Sequence, residues 1–313
     1  MTRALVFPGQ GSQAVGMGKE LASAFAAARD VFGEVDEALR QNLSRLMFEG
    51  PEAELTLTEN AQPALMTVSL AVLRVLELEA GFELTRDVAF VAGHSLGEYS
   101  ALAAAQALSL ADAARLLKRR GRAMQRAVPV GAGAMAALLG LDLDAARAVA
   151  EEAAMGEICA VANDNGAGQV VVSGDRAAVE RAVAAAAAKG AKRSIMLPVS
   201  APFHCPLMAP AAHEMAEALS EIALREPHVP LIANVTAAPV SDPDDIRRLL
   251  VEQVTGLVRW RESVLAMKAA GVHELVELGA GRVLSGLAKR IDRELTVLSL
   301  GAPAEIDAFV KTL

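Results

Sequence analysis

Short, continuous apolar runs alternate with longer stretches of helical periodicity along most of this chain. Residues 4–7 and the run Val88-Ala89-Phe90-Val91-Ala92 have the length and composition of buried strands, as do residues 231–235, 274–278 and 295–300. Between them, residues 17–48 and 61–80 carry apolar positions at helical spacing. Ser109-Leu110-Ala111-Asp112 has the form of a capping box opening a basic helix over residues 113–127. This alternation predicts a largely parallel α/β sheet built from both ends of the chain.

The order changes after Val128-Pro129-Val130-Gly131-Ala132-Gly133. Strand patterns at 134–141, 158–162, 169–173 and 194–199 interleave with helical patterns at 144–154 and 176–189, and Asn163-Asp164-Asn165-Gly166 supplies a turn. The order β-α-β-β-α-β is that of a ferredoxin-like unit. Residues 128–199 are therefore expected to form a small subdomain, inserted into a larger one made of residues 1–127 and 200–313.

Composition narrows the class. Of 313 residues, 30 are Lys or Arg and 38 are Asp or Glu, a formal net charge of −8, which gives no reason to expect nucleic acid or a membrane surface as partner. Two cysteines, Cys159 and Cys205, are too few for a disulfide framework and form no C-x-x-C pair, so a reducing, cytoplasmic setting is expected. The first residues lack the apolar core of a signal peptide, and no run is expected to reach the roughly 18 apolar residues of a membrane span.

The chemistry centres on Gly93-His94-Ser95-Leu96-Gly97, between a strand pattern and a helix pattern. That is the setting of a G-x-S-x-G nucleophile elbow, in which glycines permit the sharp turn that projects the serine oxygen above the sheet; an α/β-hydrolase-like large subdomain is the fold that goes with it. Ser95 is the candidate nucleophile. His204 is a candidate base, because Ser200-Ala201-Pro202-Phe203-His204-Cys205-Pro206 is pinned by prolines where the chain re-enters the large subdomain. His94 is expected to point away from the elbow, His213 to lie on a solvated helix face, and His228 and His273 to be loop or surface residues. Cys205 reads as a small hydrophobe. Gly9-Gln10-Gly11-Ser12-Gln13-Ala14 is a poor dinucleotide loop, since no strand ending in an acid follows, but a good oxyanion loop; its partner donor would be the amide after the nucleophile, that of Leu96. Six basic residues crowd the helix at 113–127. One beside Gly121 turned inward would grip a carboxylate with its fork, and spacing alone leaves Arg119 and Arg120 equal. No metal site is expected.

Together these motifs resemble the malonyl-CoA:acyl-carrier-protein transacylase family of bacterial fatty-acid and polyketide synthesis. The resemblance runs through Phe7-Pro8-Gly9-Gln10-Gly11-Ser12-Gln13, Gly93-His94-Ser95-Leu96-Gly97-Glu98-Tyr99-Ser100, Arg120-Gly121-Arg122-Ala123-Met124-Gln125, Asn163-Asp164-Asn165-Gly166-Ala167-Gly168-Gln169, Phe203-His204 and Glu277-Leu278-Gly279. It implies acyl transfer in two half-reactions: Ser95 attacks the malonyl thioester with His204 as base, and the amides of Gln10 and Leu96 hold the oxyanion. The carrier's phosphopantetheine thiol then takes the malonyl group. The resemblance also implies that Arg120 binds the malonyl carboxylate, that the carbonyl of Gln253 orients His204, and that Asn163 lies near the cleft. Phe203 and Leu96 resemble the malonyl-selective pattern, a bulky ring leaving little room for a branched acyl group. Gly256-Leu257-Val258 departs from relatives with proline before the valine. No cofactor is expected to be bound; coenzyme A and phosphopantetheine arrive with the substrates, malonyl-CoA and acyl carrier protein, and a monomer is expected. A basic patch for the acidic carrier is sought among Lys118, Arg119, Lys189, Lys192, Arg282, Lys289 and Arg290. The rival readings are a serine esterase or thioesterase on the same elbow, and a carrier-binding module without activity.

Overall fold

The computed structural model describes residues 2–313; Met1, the first residue of the expected large subdomain, lies outside them. Among the described residues ten strands build two sheets: β1 (Arg3–Phe7), β2 (Phe90–Gly93), β3 (Gly133–Leu139), β4 (Cys159–Asp164), β5 (Gln169–Asp175), β6 (Arg193–Met196), β7 (Leu231–Ile232), β8 (Pro239–Val240), β9 (Glu274–Leu278) and β10 (Thr296–Leu300). The larger sheet has the order β10-β9-β1-β2-β7-β8 and is parallel except for the β7–β8 pair. It is a mostly parallel α/β sheet. The smaller sheet, β4-β5-β3-β6, is wholly antiparallel, the ferredoxin-like arrangement.

Several expected boundaries move. The pattern at 17–48 is three helices, Lys19–Ala24, Ala26–Leu39 and Leu43–Glu49. Phe25 is extended between the first two, Arg40 ends the second in the left-handed region, and Asn42 caps the third through Arg45 N. The strand expected at 231–235 stops at Ile232, which frees Asn234 to serve the site. The strand expected at 194–199 stops at Met196. Ser109 caps its helix as expected, accepting from Asp112 N at 3.0 Å, and the helix spans Leu110–Ala127.

The expectation that no run reaches a membrane span is tested by one helix. The helix Thr58–Ala80 has 23 residues and a mean hydropathy of 1.4 over an 18-residue window, enough to cross a membrane on those measures. It is a core helix instead: 83% of that window is buried, and it packs against the helix Leu110–Ala127 and the helix Ala26–Leu39. Its apolarity all round reflects burial all round.

The sheet order sets the site. β1 and β2 are paired with Phe7 opposite Gly93, so the loops at their carboxyl ends, Gly9-Gln10-Gly11 and the elbow, emerge side by side. The approach is close enough to demand glycine: a Cβ on Gly97 would stand 2.2 Å from the Phe7 carbonyl oxygen. Gly97→Ala is expected to destabilise the protein by about 3 kcal/mol, because backbone blocks the new methyl on a sheet that cannot yield. Urea denaturation checks this, and an unchanged midpoint would contradict the close approach.

Candidate active site

β2 carries Ser95 into a turn with φ of 54°, a conformation non-glycine residues adopt only when neighbours impose it. Asn234 is that neighbour. Its Nδ2 donates to Gly93 O at 2.6 Å and its Oδ1 accepts from Ser95 N at 2.8 Å, so one side chain ties both ends of the elbow. His204 is likewise held in the left-handed region, φ 58°. Its Nε2 lies 2.8 Å from Ser95 Oγ and its Nδ1 lies 2.8 Å from Gln253 O. A carbonyl only accepts, so Nδ1 carries the hydrogen and Nε2 is free to take the serine proton. Burial, with the Arg120 charge beside it, pulls His204 down to about 3, and the imidazole is neutral across the physiological range.

Of the two arginines left equal by spacing, Arg120 turns inward and is 1% exposed. Arg119 turns out to Glu214, Glu217 and Glu221. Gly121 makes this possible, since a Cβ there would stand 2.5 Å from Glu59 Cα on the neighbouring helix. Arg120 Nη1 donates to Gln62 Oε1 at 2.9 Å, and Nη2 to Gln253 Oε1 at 2.7 Å and Ser95 Oγ at 3.1 Å. The guanidinium carbon sits 5.7 Å from the Tyr99 ring centre, and Nε has no partner among the described residues. The Gln253 side chain continues the network, donating from Nε2 to Ser95 O at 2.9 Å and to Glu98 Oε2 at 2.5 Å.

The amides of Gln10 and Leu96 have no protein acceptor among the described residues, which leaves both for an external oxygen. Phe203 is 9% exposed and packs into the core beside His204. Asn163 is buried on β4 and bridges to Val258, where Val258 N donates to Ala162 O and Asp164 N to Val258 O, stitching the small sheet to the segment after Gln253. Despite the departure at Leu257, where relatives have proline before the valine, the Gln253 carbonyl reaches His204. His94 points away from Ser95, its Nε2 2.9 Å from Asn165 Oδ1 and its ring 5.9 Å from that of Trp260. His213, His228 and His273 are exposed. Cys205 is buried, its thiol bonded to Pro202 O and pushed up by burial. Among the described residues, no group of three His, Cys, Asp or Glu stands close enough to hold a metal ion.

Three members of the site were not found in the sequence: Asn234, Gln62 and Glu98. Asn234 had a signal, standing at the carboxyl end of an apolar strand run where such sheets collect functional groups. Glu98 had a fainter one, as the single charge in the otherwise uncharged Gly97-Glu98-Tyr99-Ser100-Ala101-Leu102-Ala103-Ala104. The basic patch needs correction. Lys118 is buried against Gln41, Asn60 and Glu59, Arg119 faces the three glutamates above, Lys189 pairs with Glu152 and Arg282 with Glu305. Only Lys192, Lys289 and Arg290 have no carboxylate partner among the described residues.

The acyl transferase domain family matches residues 4–290. The malonyl CoA-acyl carrier protein transacylase of Bacillus subtilis strain 168 is 47% identical over 311 residues, covering 99% of this chain and 96% of the relative. That of Escherichia coli K12 is 47% identical over 305 residues, covering 97% of each. The crystal structure of an acyl-carrier-protein S-malonyltransferase from Bartonella henselae superimposes with a TM-score of 0.97 at 56% identity, covering 100% of this chain and 99% of that one. A malonyl-transacylase solved in complex with its type II polyketide-synthase acyl-carrier protein gives 0.97 at 42% identity, with full coverage of both.

Proposed function

Because this chain belongs to the acyl transferase family, we propose that it moves malonyl from malonyl-CoA to the phosphopantetheine thiol of acyl carrier protein, supplying extender units for fatty-acid synthesis. The observation that carries this reading is the meeting of Arg120 and His204 on one oxygen, Ser95 Oγ. A nucleophile, its base and a cation for a carboxylate share a single point.

In the first half-reaction Ser95 Oγ attacks the thioester carbonyl as its proton passes to His204 Nε2. The oxyanion is taken by the amides of Gln10 and Leu96. Collapse breaks the carbon–sulfur bond, and the His204 proton leaves with the coenzyme A thiol. In the second, the carrier thiol gives its proton to His204 and attacks the malonyl ester; collapse breaks the carbon–oxygen bond, and His204 returns the proton to Ser95 Oγ. The malonyl carboxylate pairs with Arg120, and its charge offsets the one that helps hold His204 down. The base therefore strengthens when the right acyl group is bound. Gln253 orients His204 through a carbonyl, so no acid adds to its basicity. Phe203 and Asn163 border the acyl cleft.

All of these residues come from one chain, which supports a monomer as the working unit. The second sheet lies wholly between Gly133 and Met196, which supports 128–199 as a small subdomain set into 1–127 and 200–313. Two free cysteines, one of them buried, fit a cytoplasmic setting.

The reading separates from a hydrolase by where the acyl group goes. Incubated with malonyl-CoA alone, the protein should release free malonate far more slowly than it transfers malonyl once carrier is added. A liquid-chromatography assay for malonate reads this directly, and release at the same rate with and without carrier would favour a thioesterase.

A further inference from the structure

Glu98 is 1% exposed, stands in the first turn of the helix behind the nucleophile, and takes no part in the steps above. Among the described residues no cation forms an ion pair with it. Its Oε1 accepts from Asn234 N at 3.2 Å and its Oε2 from Gln253 Nε2. Asn234 is the residue that ties the Ser95 turn, and Gln253 is the residue that holds both His204 and Arg120. One buried carboxyl thus stands behind the nucleophile, the base and the arginine together.

The hydrogen-bond polarity is one-directional. Arg120 can only donate, so Gln253 must turn Oε1 toward it and Nε2 away; Ser95 O can only accept, in agreement. The group beyond Nε2 must accept, and the group facing the Asn234 amide must accept as well. A carboxylate meets both demands at once. A protonated carboxyl or an amide meets one and sets a hydrogen against the other donor.

We propose, resting on the acyl-transfer reading above, that Glu98 is a positioning residue whose ionised carboxylate fixes the Gln253 amide and the Asn234 tie, and so holds Ser95, His204 and Arg120 in register. Burial raises its pKa to about 7, against the lowering pull of the Gln253 and Asn234 hydrogen bonds and of the Arg120 charge; the charged or titratable groups facing it are Arg120, reached through Gln253, and Tyr99 on its own helix. With the pKa raised, the ionised fraction falls as pH drops through 7, to roughly a tenth one unit below. In the free enzyme His204 is neutral over that window, so the acid limb of kcat/KM for malonyl-CoA is assigned to Glu98.

The experiment is the pH dependence of Ser95 acylation by malonyl-CoA, from pH 5.5 to 8.5, in wild type, Glu98→Gln and Glu98→Asp. Wild type should lose rate as pH falls through about 7. Glu98→Gln should be slower by about a hundredfold, mostly in kcat, with the acid limb gone. Glu98→Asp keeps the charge at a shorter reach and should recover part of the rate, with its limb displaced from the wild-type position; it carries the test should Glu98→Gln not fold. An acid limb unchanged in both variants, or a wild-type profile flat to pH 5.5, would overturn the proposal. Failure of wild type to acylate at any pH would instead remove the acyl-transfer reading itself.

Discussion

Arg120→Ala should lower kcat/KM for malonyl transfer by roughly two to three orders of magnitude while costing acetyl transfer about tenfold or less. The asymmetry follows from what the guanidinium does. A buried, charge-assisted pair with a substrate carboxylate is worth about 3–5 kcal/mol when one partner is removed, and acetyl has no carboxylate to lose. The smaller acetyl effect comes from the bonds Arg120 makes to Ser95 Oγ, Gln253 and Gln62, which loosen with it. Steady-state rates with malonyl-CoA and acetyl-CoA, compared in one assay, decide the matter. Equal losses for both acyl groups would make Arg120 a structural residue.

A larger loss is expected at the nucleophile. Ser95→Ala removes the oxygen on which His204 and Arg120 converge, and with it the covalent route, so transfer should fall by about 10⁴-fold or more. What survives is the binding and oxyanion contribution of a site whose amides are still in place. The fold should be indifferent, since an alanine accepts the same turn at a similar strain and the Asn234 tie is made to backbone. Rapid-quench measurement of malonyl-carrier formation, with a thermal melt as control, checks both halves. A variant that melts like wild type and transfers at more than a hundredth of its rate would mean that Ser95 is not the acyl carrier.

Much of this is legible in the sequence. The elbow could be read because its chemistry is local: strand, glycine, serine, glycine and helix lie within a dozen residues, and the close packing of Gly97 on Phe7 explains the glycine that the pattern contains. The small sheet could be read because its strands and helices follow one another with short turns. The choice between Arg119 and Arg120 could not be made from spacing. It is decided by which side of the helix Leu110–Ala127 meets the helix Thr58–Ala80, a contact between segments some sixty residues apart. Asn234 and Glu98 escaped for the same reason, since each acts through partners more than 130 residues away and neither sits in a motif of its own. The helix Thr58–Ala80 has the length and hydropathy of a span yet lies in the core, because apolarity records burial without naming the solvent. The basic patch shrinks from seven cations to Lys192, Lys289 and Arg290 because a count of cations ignores the acids folded against the other four.

The central claim is that malonyl rests on Ser95 between two thiols. Intact-protein and peptide mass spectrometry after incubation with malonyl-CoA tests it most directly. One malonyl group should appear on the peptide containing Ser95, persist in buffer, and move to the phosphopantetheine thiol when acyl carrier protein is added. Malonyl-carrier forming at the wild-type rate with no ester ever detected on Ser95 would contradict it.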